Sequence, residues 1–530
     1  MLLWLISAAW GVWIAYDKPA AWTKLWLIVG GLVLYGALVR IPERIYIGKV
    51  GEAPILEWFL GGLPVLVALY FFLTNDWASR IGKVPLLDPA MRWFAAWQPN
   101  LASLRLNSNV IGGVIAALLP LQIAALFQNR TRRRIWIGSV LVAVSGLGLL
   151  MSASRGAWLA LAFVLIAWAA RPKASSRLRT AIWASTVGIV LVSLVLFLVL
   201  TPLGERVLAL RSDRLTVWRN SLDLASDYPF TGLGLGNFEM AYSSYVLLVH
   251  VGHTIHAHNL FLDMWLDQGL LGLLAFAGLL IQAVWPGDSI SRWRIAGLAS
   301  LAVIVLHGLL DDAFYGYGGW AIPFLLLPFA MLARPTGSPI QLPRAQSSAP
   351  RFKPAFVLWG VAAFLLLVTS FLPGMRAASE ANLGALAQTR AELAVYRWPE
   401  WPFQDAVRRS EKVDLTAAIT HYRAALALDP ANATANRRLG QIELSFEQYD
   451  EATRHLSAAY TVAPGQRATR QLLGECYAIN GDVDRAVALW KTVDTSQMQL
   501  ELRKWWYSDY LGEQARAARL TQAIAALDKH

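Results

Sequence analysis

The chain has 530 residues, of which 56% are hydrophobic and 15% charged, with 24 Trp. That composition excludes a soluble globular protein as the whole molecule, and a single cysteine, Cys476, excludes an intramolecular disulfide and any Cys-based metal cluster. A formal charge of +12 would raise nucleic acid as a partner in a soluble protein. Here the basic residues gather in short loops between apolar runs, as membrane proteins arrange them, and no nucleic acid is expected.

Runs long enough to cross a hydrocarbon core of ~30 Å predict about eleven spans. In chain order these are roughly 2–16, 22–39, 55–74, 109–127, 135–151, 157–170, 181–200, 260–285, 295–312, 320–333 and 355–374. The start, "MLLWLISAAWGVWIAY", lacks a basic n-region and a small-residue cleavage site, so it reads as a retained first span. The basic stretches "RTRRR" (130–134), "RPKASSRLR" (171–179), "SRWR" (291–294) and 334–354 fall on one side if the spans alternate. That side is the cytoplasm. The N-terminus is then cytoplasmic, and everything after residue 375 is extracytoplasmic. Loop 75–108, with four basic residues, runs against the rule.

The first extracytoplasmic segment of chemical interest is "SASRG" (152–156), where Arg155 joins two apolar runs. A charge at that depth snorkels, pairs or does work. Loop 201–257 follows, with Arg206, Arg211, Arg214 and Arg219 and no Lys. Ser212 can cap a helix starting near Asp213 and ending before Pro229, on which Leu215, Trp218 and Leu222 form an apolar stripe. Arg211, Arg214 and Trp218 share or adjoin one face. Such a helix fits the membrane surface, either as a generic binder of anionic headgroups or as a diphosphate site, since a guanidinium fork matches phosphate oxygens in pairs.

"YPFTGLGLGNF" reads as a Gly-rich turn re-entering the membrane surface rather than a dinucleotide motif, because no βαβ context precedes it. Half of the eight histidines come next, at His250, His253, His256 and His258. Shared zinc is one reading of that spacing. The favoured one is a general base, with His258 best placed because Asn259 and a span follow it directly. Asp311 and Asp312, at the outer end of a span, either orient an Arg or His, bind a cation, or simply end a helix.

The tail is polar and Ala-rich. Asp429-Pro430 and Ala463-Pro464 lie 34 residues apart, Leu439-Gly440 and Leu473-Gly474 share that period, and so do Ala418, Ala452 and Ala486. The pattern resembles tetratricopeptide repeats, in which small Ala residues let paired helices approach and Pro ends each pair. A half repeat at 414–430, repeats at 433–466 and 467–500 and a capping helix to 530 are expected. The predicted fold class is thus all-α: a polytopic membrane helical bundle at 1–375, a linker or helical connector at 376–413, and a soluble α-solenoid of TPR type at 414–530. Such an array implies a peptide or protein partner.

"SASRGAW", Arg214 four residues before Trp218, "YPFTGLGLGNF" and "HAHNLFLDMWLDQGLLGLL" occur in that order. Together they resemble the O-antigen ligase and polymerase superfamily over about 20–335. Its members carry a Ser-x-Ser-Arg-Gly segment, an Arg-x-x-x-Trp helix, a Gly-rich turn ending near Phe, and a His-Asn segment opening a span. Asp267-Gln268-Gly269 stands where the family often has Glu before a Gly-Leu pair, and the repeat tail is found in only some relatives.

The resemblance implies a multi-pass enzyme of the bacterial cytoplasmic (inner) membrane that takes a glycan from undecaprenyl diphosphate. Arg155 and Arg214, with Arg211 beside them, would hold the diphosphate, and His258 would activate the acceptor hydroxyl. His256, Asn259 and Asp312 are supporting candidates, and neither metal nor cofactor is expected. Chemistry agrees: outside the cytoplasm there is no ATP, so the donor must bring the energy, and fixed guanidinium groups can stabilise a departing diphosphate. One base and one stabilised leaving group suffice for single-step inversion. The acceptor is lipid A–core or another surface anchor in a ligase, a second lipid-linked glycan in a polymerase, or a Ser or Thr hydroxyl in a protein O-oligosaccharyltransferase. A membrane-anchored TPR scaffold or a transporter is the non-enzyme alternative.

Overall fold

A computed structural model describes residues 1–40, 55–81, 85–97, 101, 105–127, 131–169, 212–246, 254–285, 291–316, 319–334, 372–397, 400, 403–493 and 497–528. The span expected at 181–200, nearly all of that at 355–374, and Arg206, Arg211, His250 and His253 lie outside the described residues. Among the described residues the regular elements are helical, without strands. Five helices are long and apolar enough to cross a membrane: Lys18–Arg40, Ile55–Thr74, Ser108–Leu126, Arg132–Met151 and Leu260–Val284. Leu2–Ile14 and Arg155–Trp168 are shorter apolar helices, and Arg292–Gly308 occupies the place expected for the span at 295–312.

Helix Ser108–Leu126 is apolar on every face and buried at almost every position, so it forms the axis of the bundle. Ile55–Thr74, Arg132–Met151, Arg155–Ala169 and Arg292–Gly308 pack around it. Its paired glycines allow close approach. A Cβ on Gly112 would lie 2.6 Å from Ser152 Oγ, and one on Gly113 would lie 2.5 Å from Ala313 Cβ. At the opposite end of the bundle Glu57 pairs with Arg134 (3.2 Å) and Arg292 (3.5 Å). Two of the basic loops therefore share one end, as alternating spans require. The expected span at 320–333 is two short helices, Ile322–Leu325 and Leu327–Ala333. Pro323 and Pro328 sit in their first turns, where a missing backbone N–H is harmless, whereas in a continuous helix Pro328 would forfeit a hydrogen bond.

Helix Leu260–Val284 is broken at Gly269, whose φ of +68° and ψ of −172° leave the helical region. Residues 229–236 fill the break. Leu270 N–H donates to the Pro229 carbonyl (3.1 Å), Leu233 N–H to the Leu266 carbonyl (2.5 Å) and Gly236 N–H to Asp267 Oδ1 (3.1 Å). Trp265 Nε1 also donates to the Pro229 carbonyl, at 2.9 Å. Backbone groups orphaned by the kink thus find partners in the turn. A Cβ at Gly269 would fall on the Phe230 carbonyl, and one at Gly232 would lie 2.6 Å from Gly269 N.

The C-terminal helices pair as hairpins: Ala433–Ser445 with Tyr449–Val462, and Arg467–Asn480 with Val483–Trp490. The period has a packing origin. Gly440 admits Leu456, Gly474 admits Trp490, and Ala452 and Ala486 are fully buried. Tyr422, in Thr416–Leu428, stands 34 residues before Leu456 and fills the space at Gly384 in helix Pro373–Val395. The half repeat at 414–430 therefore has a partner inside the expected linker. An insertion carrying helix Gln404–Arg408 breaks the spacing that would have revealed it.

The inner helix Ala433–Ser445 is buried from Thr434 onward, mostly by the neighbouring array helices, and its Thr434, Arg437 and Arg438 side lies against residues 227–245 of the membrane domain. Arg437 and Arg438 pair with Asp227, Arg467 donates to the Val246 carbonyl, and Asn382 Oδ1 accepts the N–H groups of Phe230 (3.1 Å) and Thr231 (3.3 Å). Arg390 donates to the carbonyls of Trp13 and Ile14, both at 2.7 Å. At Thr434, Arg437, Arg438 and Arg467 the surface of the array is thus occupied in cis.

Gly269→Ala should lower the melting temperature of the detergent-purified chain by several degrees, since both the positive φ and the Phe230 carbonyl oppose a side chain. Gly30→Ala, with open space around the site, should leave it unchanged. Equal melting curves for the two would contradict this account of the kink.

Candidate active site

Three segments converge at the end of the bundle away from Glu57. The first is helix Ser212–Asp227, which begins and ends close to its expected limits. Its packed side differs from the expected Leu215–Trp218–Leu222 stripe. Leu224, Ala225, Asn220 and Ser221 are buried, Val217 and Trp218 partly so, and Leu222 is 49% exposed. The buried face is set by two neighbours, the membrane domain and the C-terminal array, rather than by a flat lipid surface.

The second segment is 256–259. Asn259 caps helix Leu260–Val284, its Oδ1 accepting from Phe261 N–H (3.0 Å) and Leu262 N–H (3.2 Å), while its Nδ2 donates to the Leu309 carbonyl (3.2 Å). His258 precedes this cap with φ +52°, in the left-handed region. A non-glycine residue there is strained by about 1–3 kcal/mol and persists only where neighbours fix it. His256 Nδ1 accepts the His258 backbone N–H (3.2 Å), and the two rings lie 4.1 Å apart. Asp263 Oδ1 accepts the Ala257 N–H at 2.7 Å.

The third segment follows helix Arg292–Gly308. Asp311 Oδ1 accepts from His258 Nδ1 (3.0 Å), and its Oδ2 pairs with Arg214 Nη2 (2.7 Å). Arg214 Nη1 also donates to the Leu310 carbonyl (2.5 Å), and Trp218 Nε1 to the His258 carbonyl (3.2 Å). One carboxylate therefore links the expected base to the expected diphosphate arginine. Asp312, the supporting carboxylate expected from sequence, has another role. Its Oδ1 accepts the N–H groups of Phe314 (3.0 Å) and Tyr315 (2.8 Å), which holds the turn. The residue that reaches His258 is its neighbour, and sequence alone offered the Asp-Asp pair without ranking its members.

Arg155 is exposed and, among the described residues, has no ion-pair partner. Its neighbour Gly156 lies against His307 and Leu310, where a Cβ would be 3.5 Å from His307 Cδ2 and 4.0 Å from Leu310 Cβ. The backbone next to Arg155 thus lies against the 307–310 stretch, whose Leu310 carbonyl also accepts from Arg214. Ala153, two residues earlier, has φ +53°, so this candidate segment also carries a left-handed non-glycine residue.

The electrostatics separate the two carboxyls. Burial opposes charge on Asp311, but the hydrogen bond from His258 and the nearby Arg214 guanidinium hold it well below the usual carboxylate range. Burial, with the Asp263 charge beside it, pushes the Asp312 carboxyl up to about 7. With Asp311 ionised, His258 Nδ1 carries the proton and donates, which leaves Nε2 as the free acceptor. Ligand atoms of His256, His258 and Asp311 lie within 4.8 Å of one another, so among the described residues these three could share a metal ion.

Residues 140–277 match the family model for O-antigen ligase. The matched stretch contains Ser152–Gly156, Arg214, Trp218, Gly232–Gly236 and His256–Asn259, but neither Asp311 nor the C-terminal array. The match supports the O-antigen ligase superfamily, whose members are glycosyltransferase-like enzymes, and the apolar helices support a multi-pass membrane enzyme. No curated protein matches the chain.

A folded-state value depressed as at Asp311 contributes stability present above the unfolded value of about 3.9 and lost as pH falls further. Nitrogen NMR of selectively labelled histidine should therefore show His258 as the Nδ1–H tautomer at pH 8, and Asp311→Asn should erase that preference. An unchanged His258 signal in D311N would remove Asp311 from the dyad.

Proposed function

We propose that the chain transfers a glycan from undecaprenyl diphosphate to an acceptor hydroxyl on the extracytoplasmic side of the bacterial inner membrane, by inversion and without a metal. The observation that carries this reading is the Arg214–Asp311–His258 chain, with the exposed Arg155 next to Gly156, which lies against His307 and Leu310. His258 Nε2 takes the proton from the acceptor hydroxyl as its oxygen attacks the anomeric carbon. The bond to the diphosphate oxygen breaks on the opposite face of the sugar, and the charge that collects on the phosphate is met by Arg155 and Arg214. Asp311 fixes the imidazole tautomer and, through its other oxygen, holds Arg214 in register. His256 and Asn259 keep His258 in its strained position. Arg211, three residues from Arg214, is a further diphosphate candidate.

Ligase-type transfer to lipid A–core or a comparable glycolipid is the reading we favour. A peptide-binding tail would favour a protein acceptor, but Thr434, Arg437 and Arg438 of helix Ala433–Ser445 are engaged by Asp227 of the same chain. In this reading the tail is a TPR-type solenoid serving its own membrane domain. A polymerase differs only in using a second lipid-linked glycan as acceptor.

The test is release of undecaprenyl diphosphate from a synthetic undecaprenyl-diphosphate oligosaccharide by the purified chain. Arg155→Ala and Arg214→Ala should each lower turnover by about 10²–10³-fold, as loss of a fixed charge-stabilising donor does. His258→Ala should lower it by about 10²–10⁴-fold, as loss of a general base does. Wild-type turnover in all three would refute the assignment.

Chelation by EDTA should leave turnover unchanged. Added Zn²⁺ should inhibit by capturing His258, and His256→Ala should relieve that inhibition. Loss of turnover on chelation, restored by a divalent ion, would instead favour metal-assisted transfer.

A further inference from the structure

The array touches the membrane domain most strongly at a point remote from the reacting atoms. Helix Ser212–Asp227 ends on Asp227, which is fully buried. A carboxylate in the last turn of a helix faces the negative end of the helix dipole, and burial adds a desolvation cost. Both penalties are opposed from the array. Thr434 Oγ1 donates to Asp227 Oδ1 (2.9 Å), while Arg438 Nε (2.8 Å) and Arg437 Nη2 donate to Oδ2. Arg438 continues to Tyr228 Oη at 2.6 Å, and Tyr228 bonds to Thr389 on helix Pro373–Val395. The guanidinium of Arg437 lies over the Tyr245 ring at 4.7 Å and that of Arg438 over the Tyr228 ring at 5.1 Å.

The near end of the same helix holds the site. Arg214 bonds Leu310 and Asp311, and Trp218 bonds the His258 carbonyl. Thirteen residues separate Arg214 from Asp227, about 20 Å of helix at ~1.5 Å per residue. Between them Asn220 and Ser221 are buried, while Leu222 on the other side is exposed. The helix is therefore a beam with one end on the catalytic dyad and the other gripped by the array.

We infer that Asp227 is a positioning residue: by pinning helix Ser212–Asp227 to the C-terminal array, it sets where Arg214 meets the diphosphate. This rests on the transferase reading above for its chemistry, but not for its mechanics. A guanidinium displaced by about 1 Å from a developing charge loses on the order of 10²-fold in rate. The array thus acts on the reaction without touching substrate. Asparagine at 227 would keep the shape and leave two buried guanidinium groups uncompensated, whereas glutamate would keep the charge.

The experiment uses the full chain in detergent and compares wild type with Asp227→Asn, Asp227→Glu and the milder Thr434→Val. Amide hydrogen exchange is followed over 212–246. Farnesyl diphosphate serves as the diphosphate-lipid probe in calorimetry, and turnover is measured on the synthetic donor. In D227N, exchange should rise along the whole helix including the turn of Arg214. Farnesyl diphosphate binding should weaken about tenfold, and kcat should fall about 10²-fold while KM for the acceptor stays within about twofold, the pattern of a lost transition-state contact. D227E should recover most of each loss, and T434V should show a smaller loosening of the same extent along the helix. Faster exchange confined to 224–230, with probe binding and kcat at wild-type values, would overturn the inference. So would D227E behaving as badly as D227N. A wild type that binds no farnesyl diphosphate and releases none of the donor's lipid would sink the transferase reading instead, while the exchange pattern would still decide whether Asp227 braces the helix.

Discussion

The constraint on which the rest depends is the break at Gly269. A continuous helix from Leu260 to Val284 would satisfy its own backbone and leave the loop before it unattached. The break offers Leu266 and Leu270 to another segment, and residues 229–236 accept the offer. Both halves of the site hang from this joint. The piece of helix before the break starts at Leu260, immediately after His258 and its Asn259 cap. The turn that fills the break starts two residues after helix Ser212–Asp227 ends, so the helix bearing Arg214 is fixed by the same contact. Lys24, paired with Asp267 at 2.5 Å, ties the second apolar helix to the joint as well. Only glycine can serve here, because the backbone at 269 is left-handed and the Phe230 carbonyl occupies the side-chain position.

Asp311 makes the second connection, between groups that chemistry needs to differ. In the transfer proposed above, the base must be neutral and the leaving-group clamp must be charged. A shared carboxylate serves both, since it accepts the Nδ1 proton of His258 with one oxygen and orients Arg214 with the other. It also limits how far the two can move apart. The strain at His258 has the same sense: an imidazole held at φ +52° by His256, Asn259 and Asp311 is in place before any substrate arrives, so less ordering is left for the reaction step.

The apolar runs were legible because membrane thickness imposes a length, and the helices at Ile55–Thr74, Ser108–Leu126 and Leu260–Val284 lie within a residue or two of their expected limits. The expected span at 320–333 was hydrophobic enough to read as one helix, yet a second helix starts at Leu327, with Pro328 in its first turn. The 34-residue period was legible where Gly440 and Gly474 face Leu456 and Trp490. It was lost at Gly384 and Tyr422 because an insertion changes the spacing while keeping the contact. In the site, His258, Asn259 and Arg214 stood out by residue type and by their places beside spans. Asp311 did not outrank Asp312, since adjacent carboxyls differ only in which way the backbone turns them. Asp227 carried no local sign at all, as its partners lie more than two hundred residues downstream.

That last separation bears on why the array is part of the chain. An ion pair buried between two surfaces costs desolvation on both sides, and a free partner would have to offset that cost together with the entropy of association. Covalent linkage removes most of the second cost by raising the effective concentration of the partner surface. A helix on an exposed loop can then be stiffened by a charged contact too costly to form between separate molecules. Three array helices contribute to the grip: Pro373–Val395 through Asn382 and Thr389, Ala433–Ser445 through Thr434, Arg437 and Arg438, and Arg467–Asn480 through Arg467. An array that evolved to capture a diffusing peptide would leave such a surface open. Here Thr434, Arg437, Arg438 and Arg467 are buried and bonded to residues 227–246, as the proposed brace requires.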